Sequence, residues 1–403
     1  MAALAVFTQI DVKTAKAAMF PSLSFSTGQQ VVNRPYQETS SRVSGSEIIS
    51  SNSKTSYNGN YGLNASWTLY NGNKRLKTIQ QEKLNNQMAE LDVATSENNI
   101  QESIAQVYIQ ILYAAESVKV NENTLQVSIA QRDRGQELLN AGSIAKSDLA
   151  QLEAQVSTDR YQLVTAQATL EDYKLQLKQL LELDGENEMN IYLPALSDEN
   201  VLAPLPTKRD VYISALSLRP EIEASKLNVE ASELGINIAK SSYFPTISLS
   251  AGIGTNHTSG SDFTFGEQVK NGWNNSIGLS VSVPIFNNRQ TKSAVQKAKL
   301  QYETSMLSLL DEQKALYKTI ESLWLDANSA QQRYAAANEK LKSTQISYEL
   351  ISEQFNLGMK NTVELLTEKN NLLQAQQEQL QAKYMAILNT QLLKFYQGDQ
   401  LAL

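Results

Sequence analysis

The chain is written twice, and the duplication limits what it can fold into. The segment Ala15–Phe25 reappears as Ala239–Leu249, which sets Pro21 opposite Pro245. From Tyr70 to Gln151 the match to Phe286–Thr367 runs without a gap at a constant offset of 216. Gly142 therefore falls on Gly358, Leu149 on Leu365 and Tyr108 on Trp324. A repeat this long is one supersecondary unit that cannot bury its apolar surface alone, so two copies imply a pseudo-symmetric fold.

Ordinarily, 403 residues would supply two or three compact domains. Here the stretches 73–139 and 289–356 hold almost no helix breaker, and only 8 prolines occur in the whole chain, so long helices are expected. The net charge of -7 argues against nucleic acid, whose binding needs clustered Lys and Arg. With no Cys there is neither a disulfide framework nor a thiolate metal site. No run of about 18 apolar residues is present to make a membrane-spanning helix. The second copy has a leader at 218–221 whose counterpart would precede Met1, so the chain is expected to start inside a helix, an export signal having been removed.

Four segments alternate strictly between apolar and small polar residues. In 57–69, Tyr57, Tyr61, Leu63, Ala65, Trp67 and Leu69 share one parity, against Asn58, Asn60, Gly62, Asn64, Ser66 and Thr68. The segment 273–285 repeats this with Ile277, Leu279, Val281, Val283 and Ile285. Their partners are 22–32, with Leu23, Phe25 and Val31, and 246–255, with Ile247, Leu249, Ala251 and Ile253. A soluble sheet with one wet face alternates in the same way. Three features favour lipid instead: aromatics gather at the strand ends, the alternate face is small rather than charged, and the loops 33–56 and 256–272 are long and polar. The lipid-facing set is then Phe25, Tyr61, Leu63, Trp67, Leu249, Ile277, Leu279 and Val281. Four strands cannot close a barrel, and an open edge in lipid leaves backbone groups unpaired at several kcal/mol each, so oligomerisation is required. Eight strands from two chains and twelve from three both give permitted even counts.

Each second strand leads into some 67–70 residues of helical pattern, roughly 100 Å at about 1.5 Å per residue. A heptad register runs through Leu309, Leu316, Leu323, Ala330, Ala337, Thr344 and Ile351, with Met306, Ile320, Ala327, Tyr334, Leu341, Tyr348 and Phe355 as companions. After Gly142 the return helix carries Leu149, Val156, Leu163, Leu170 and Leu177; after Gly358 it carries Leu365, Leu372 and Leu393. Both glycines are expected as left-handed C-caps that reverse the chain. The division expected from this is a first repeat at 1–183 with its hairpin at 72–183, a mixed equatorial linker at 184–217, a second repeat at 218–397 with its hairpin at 288–397, and a tail at 398–403.

The parts for chemistry are missing. His257 is the single histidine, expected in an exposed loop, and no metal set or nucleophilic triad can be assembled around it. Gly252 and Gly254 lie within a strand and lack the helix of a phosphate loop. Asp184, Glu186 and Glu188 read as solvated surface. No enzyme, cofactor or metal is expected.

The duplicated order of helix, strand pair, long hairpin and belt resembles the TolC family of outer-membrane efflux ducts over essentially the whole chain. The carrying segments are Ala15–Pro21 and Ser242–Leu249 before the first strands, Ser66–Gly72 and Ser282–Asn288 entering the hairpins, and the tips Asn140–Leu149 and Asn356–Leu366. The resemblance implies a fold that is mixed but mainly α: a homotrimer whose twelve strands form one β-barrel continuous with a twelve-helix α-barrel. It implies the exit duct of a tripartite efflux or type I secretion system, in the outer membrane of a Gram-negative bacterium and extending into the periplasm. The partners would be a periplasmic adaptor (membrane fusion) protein, an inner-membrane pump of RND, ABC or MFS type, and outer-membrane lipid. Gly142, Ser143, Gly358 and Met359 would meet the adaptor. At the entrance Lys360 matches a gating arginine that faces Ser147, and Asp148 matches the acidic partner of a gating tyrosine. Two departures stand out: Phe355 replaces that tyrosine, and Thr367 replaces the second of two aspartates, leaving Glu364 as the one acidic ring. Two other readings remain: a trimeric coiled-coil adhesin with a β-barrel anchor, against which the wide separation of the strand pairs argues, and a soluble coiled-coil scaffold.

Overall fold

The computed structural model describes residues 2–36, 40–44, 47–51, 54–183, 191–192, 201–261 and 263–401. Two compact units emerge, Met1–Val93 with Ala224–Leu309 and Ala94–Glu223 with Leu310–Leu403. Each draws on both repeats, so the units cut across the division into 1–183 and 218–397. In the first unit the cause is strand pairing between the copies, and in the second it is packing of helices from both.

The first unit contains helix α1 (Ala2–Ala17), strand β1 (Ser22–Asn33), a short hairpin of β2 (Ser40–Ser44) and β3 (Glu47–Ser51), β4 (Thr55–Asn71), β5 (Thr246–Thr258), the short helix α6 (Phe265–Asn271) and β6 (Asn274–Ser282). It also holds most of α5 (Pro220–Lys240) and the starts of α2 (Lys74–Asn140) and α7 (Gln290–Asn356). The main sheet is wholly antiparallel in the order β1-β4-β5-β6, so the two expected strand pairs are joined through β4 and β5. The expected strand at 273–285 stops at Ser282, because Pro284 has no N–H for a ladder. The polar loops are not structureless: 33–56 contains the β2–β3 hairpin, and 256–272 contains α6, closed by a capping box between Thr264 and Glu267.

The turn from strand to long helix is built alike in both repeats. Gly72 and Asn73 have φ of 68° and 61°, and their counterparts Asn288 and Arg289 have 51° and 63°. At Gly72 a Cβ would lie 2.7 Å from the Ser241 carbonyl oxygen, so only glycine fits there. The corner is then tied down by polar contacts. Trp67 Nε1 donates to the Met19 carbonyl at 2.7 Å, Arg75 donates to the Ala18 carbonyl at 2.9 Å and to that of Thr68, and Ser241 Oγ donates to Gly72 O at 2.9 Å.

The second unit carries the buried core, formed by α2, α7, α3 (Lys146–Leu180), α4 (Lys208–Leu218) and α8 (Thr362–Gln397). Helices α2 and α7 have 67 residues each, and their ends differ by the repeat offset of 216. One cluster groups Ile109 and Leu112 of α2 with Ala330 and Tyr334 of α7 and Leu380 to Leu392 of α8. Another packs Val211 and Ala215 of α4 and Ile222 against Leu316, Ile320, Ala327 and Leu393. The heptad positions from Leu316 onward are largely buried, whereas Met306, in the first unit, is 44% exposed.

Part of the expected linker lies outside the described residues, including Asp184, Glu186, Glu188 and Pro194. The described part is irregular chain leading into α4, and repeat-related residues hold it. Tyr108 Oη donates to Tyr192 O at 2.7 Å, and its counterpart Trp324 donates from Nε1 to Pro206 O at 3.0 Å. Gln331 Nε2 adds bonds to Val201 O at 2.9 Å and Ala203 O at 2.8 Å. Where α4 meets α5, Arg219 is 6% exposed, with the Tyr396 ring 3.6 Å and the Phe395 ring 4.9 Å from its guanidinium. It bonds Glu102 at 2.7 Å and lies 3.8 Å from Glu221. Burial, with Glu102 second, pushes the Tyr396 hydroxyl up to about 12.

Candidate functional site

The register sorts the sheet into two faces. Leu23 pairs with Ala65 and Phe25 with Leu63; Leu63 pairs on with Ile253 and Trp67 with Leu249; Leu249 pairs with Leu279, Ala251 with Ile277 and Ile247 with Val281. Facing cross-strand partners lie on the same side of a sheet, so the apolar parity of all four strands forms one surface. The opposite surface is made of rows such as Ser22, Ser66, Ser250 and Gly278, then Ser24, Asn64, Gly252 and Ser276, then Ser26, Gly62, Gly254 and Asn274. None of these carries a charge.

Among the described residues much of the apolar face is uncovered. Phe25 is 68% exposed, Ile277 82%, Leu279 65% and Val281 60%; Leu63 and Trp67 are also exposed, and Tyr61 and Leu249 are half-buried. A contiguous apolar surface of this extent marks an interaction with lipid or protein. Among the described residues, β1 and β6 each pair on one side only, which leaves the two edges of the sheet open. No described helix is long and apolar enough to cross a membrane.

His257 is not in an exposed loop. It sits on β5, half-buried, with its ring stacked on Tyr61 at 5.9 Å and edge-on to Phe265 at 5.1 Å. It faces Gly59 across the ladder, where a Cβ would come within 2.2 Å of its ring.

At the hairpin tips Gly142 and Gly358 have φ of 75° and 73°, and a Cβ on either would meet nothing within 4 Å. Backbone conformation alone therefore calls for glycine. In each tip the next amide closes the helix, Ser143 N to Leu138 O and Met359 N to Gln354 O, both at 2.8 Å. The following helices are capped at equivalent positions. Asp148 accepts from Ala145 N at 3.0 Å, and Glu364 accepts from Asn361 N at 3.2 Å while Asn361 Oδ1 accepts from Glu364 N at 2.9 Å. Asp148 and Glu364 are thus the N3 residues of α3 and α8, each bonding back to the amide of its N-cap, Ala145 or Asn361.

The resemblance sets Lys360 across from Ser147, but the structure pairs it with Glu364 on its own tip at 2.5 Å. That bond, helped by the Asn361 amide, holds the Glu364 carboxyl below the usual carboxylate range. Phe355 is buried, at 2% exposure, while Ser147 is exposed. Thr367 is exposed and its hydroxyl bonds back to Val363 O at 2.7 Å. Tip two also presents Leu357, Met359 and Val363 at 75%, 70% and 59% exposure, against the small Gly142 and Ser143 of tip one.

A polar cluster missed in the sequence lies further along the hairpins. Lys369 of α8 is 3% exposed and donates to Asp159 of α3, 1% exposed, and to Ser128 of α2; Ser128 in turn donates to the same carboxylate oxygen. Gln155 Nε2 donates to the other oxygen of Asp159 at 2.9 Å. Burial lowers the Lys369 pKa against the opposing pull of Asp159. The cluster is legible in the heptads: Ser128 is the repeat partner of Thr344, Asp159 is three residues beyond Val156, and Lys369 is three before Leu372. A polar residue at a core position was the cue.

A two-faced antiparallel sheet with open edges, joined to long capped helical hairpins, defines the fold of outer-membrane channels. The solved structure of CusC superposes with a TM-score of 0.81 at 19% identity, covering 98% of this chain and 87% of that one. The outer membrane protein VceC of Vibrio cholerae gives 0.78 at 16% identity, covering 99% and 92%. The chain belongs to the outer membrane efflux protein family, whose model matches residues 5–182 and 211–398. Outer membrane efflux protein BepC of Brucella suis is 24% identical over 294 residues, 72% of this chain and 61% of that protein. Outer membrane protein TolC of Escherichia coli is also 24% identical over 294 residues, 71% of this chain and 58% of that protein. The chain thus spans about three fifths of the length of these relatives.

Proposed function

We propose that the chain is one protomer of a homotrimeric exit duct in the outer membrane of a Gram-negative bacterium. It would passively conduct substrates delivered by an inner-membrane pump of RND, ABC or MFS type through a periplasmic adaptor. The observation that carries this is the sheet register: one continuous apolar face, one uncharged polar face, and two unpaired edges. Three copies joined edge to edge give twelve strands with the apolar face to lipid and the Ser, Asn, Thr and Gly face to water. The efflux and channel proteins that the chain resembles support this reading, and the adhesin and scaffold alternatives have no observation in their favour.

The tips form the entrance. Gly142, Ser143, Gly358 and Met359 make the docking surface for the adaptor. Glu364, steadied by Lys360, supplies a ring of three carboxylates, with Thr367, Phe355, Asp148 and Ser147 around it. No bond chemistry takes part. Purified protein added to planar lipid bilayers should give discrete ionic conductance steps, with the closed state dominant. An assembled, membrane-inserted protein that never conducts would defeat the duct reading.

A further inference from the structure

The tip pair cannot hold one hairpin to the other, because Lys360 and Glu364 belong to the same tip and move together. Both are also about a third exposed, at 34% and 39%, where an ion pair contributes little. Contacts that cross between repeats lie further along the hairpins: Gln131 Nε2 donates to Tyr348 Oη at 2.8 Å, Gln155 Nε2 to Asn370 Oδ1 at 3.4 Å, and one of them is a buried ion pair. Lys369 comes from the second repeat, and Asp159 and Ser128 come from the first. We propose that Lys369, Asp159 and Ser128 form the lock that fixes the position of α8 against the α2–α3 hairpin and so restrains opening of the duct.

The physical reason is the contrast with the surrounding core. Leucines at heptad positions exchange neighbours of similar volume when helices slide or rotate, so apolar packing sets register weakly. A buried ion pair sets it sharply. Any displacement of α8 must withdraw an ammonium from a carboxylate that is 1% exposed. Gln155 and Ser128 hold the carboxylate in place, so the lysine has a single seat. The cavity beside it, of about 120 Å³ and lined by Val120, Val127, Leu372 and Leu373 among others, leaves room for the helix to move once released. Pinning register is the best-attested role of a polar group in a coiled-coil core. Lys369 is in this sense a positioning residue that need not touch cargo.

This inference rests on the duct reading for its consequence, but the lock itself is measurable without conduction. The full chain has no Cys, so spin labels can be placed at Ser143→Cys and Met359→Cys to report the distance between the two tips. Three variants decide the matter. In Asp159→Leu/Lys369→Met the apolar pair fills similar volume, so folding is retained while the lock is removed. The population outside the native tip distance should rise at least about fivefold. In Asp159→Lys/Lys369→Asp the reversed pair should restore the native distribution, and Lys342→Ala, which breaks an exposed ion pair on α7, should leave it unchanged. An unaltered distribution in the apolar pair overturns the lock. A distribution equally broad in the apolar and reversed pairs also overturns it, since packing rather than charge would then be responsible. Bilayer conductance of the same variants separates the two claims: altered distances without conductance leave the lock standing and sink the duct.

Discussion

Leu279→Arg should abolish stable insertion of the assembly, while Ser280→Arg, one residue along, should assemble and insert normally. Leu279 is near the middle of β6, 65% exposed and paired across the ladder with Leu249. A guanidinium at that depth on a lipid face costs about 2–4 kcal/mol per chain, and a trimer bears it three times. Ser280 faces the other way, paired with Ser248 in a row that includes Thr68. An arginine there meets water and only narrows the lumen. The check is the amount of each variant recovered as folded oligomer in the membrane fraction. Equal recovery of both would mean that the two faces do not differ in environment.

The second large effect is expected at Arg219. Replacement by Ala removes the cation between the Tyr396 and Phe395 rings and leaves Glu102, 19% exposed at its side chain, without its partner. Breaking a buried pair from one side costs about 3–5 kcal/mol, because the remaining charge stays desolvated. The helical signal of Arg219→Ala should melt well below that of the unaltered chain. Arg219→Lys should fall between, since it keeps the charge but loses the planar stacking and the forked donors. If Arg219→Ala melts at the unaltered temperature, the joint between α4, α5 and α8 does not depend on this residue.

Much of the architecture was legible because it rests on short-range rules applied twice. The constant offset, the 2-residue alternation and the two tip glycines locate the strands, hairpins and reversals. What escaped depends on pairing between distant segments. Alternation specifies the two faces of β4 and β5 but not that these strands from different repeats would join, and that pairing is what puts both repeats into the first compact unit. His257 appeared to be a loop residue because nothing local shows that β5 runs on to Thr258 or that Tyr61 and Phe265 flank it. At the tips, family likeness drew attention to Lys360, Asp148 and Glu364 as gate residues. The observed bonds of Asp148 and Glu364 are those of capping boxes, the ordinary use of an acidic residue three places into a helix, and Lys360 pairs with Glu364. Lys369 went unread because its charge looks like surface in a sequence and like a core position only in the heptad.

The central claim is that one chain supplies a third of a closed wall. The native mass of the purified assembly in a membrane-mimicking particle tests it most directly. The account predicts three copies of the 44.7 kDa chain and no other stoichiometry, giving twelve strands from four per protomer. A particle containing two copies, or a stable single chain, would contradict it.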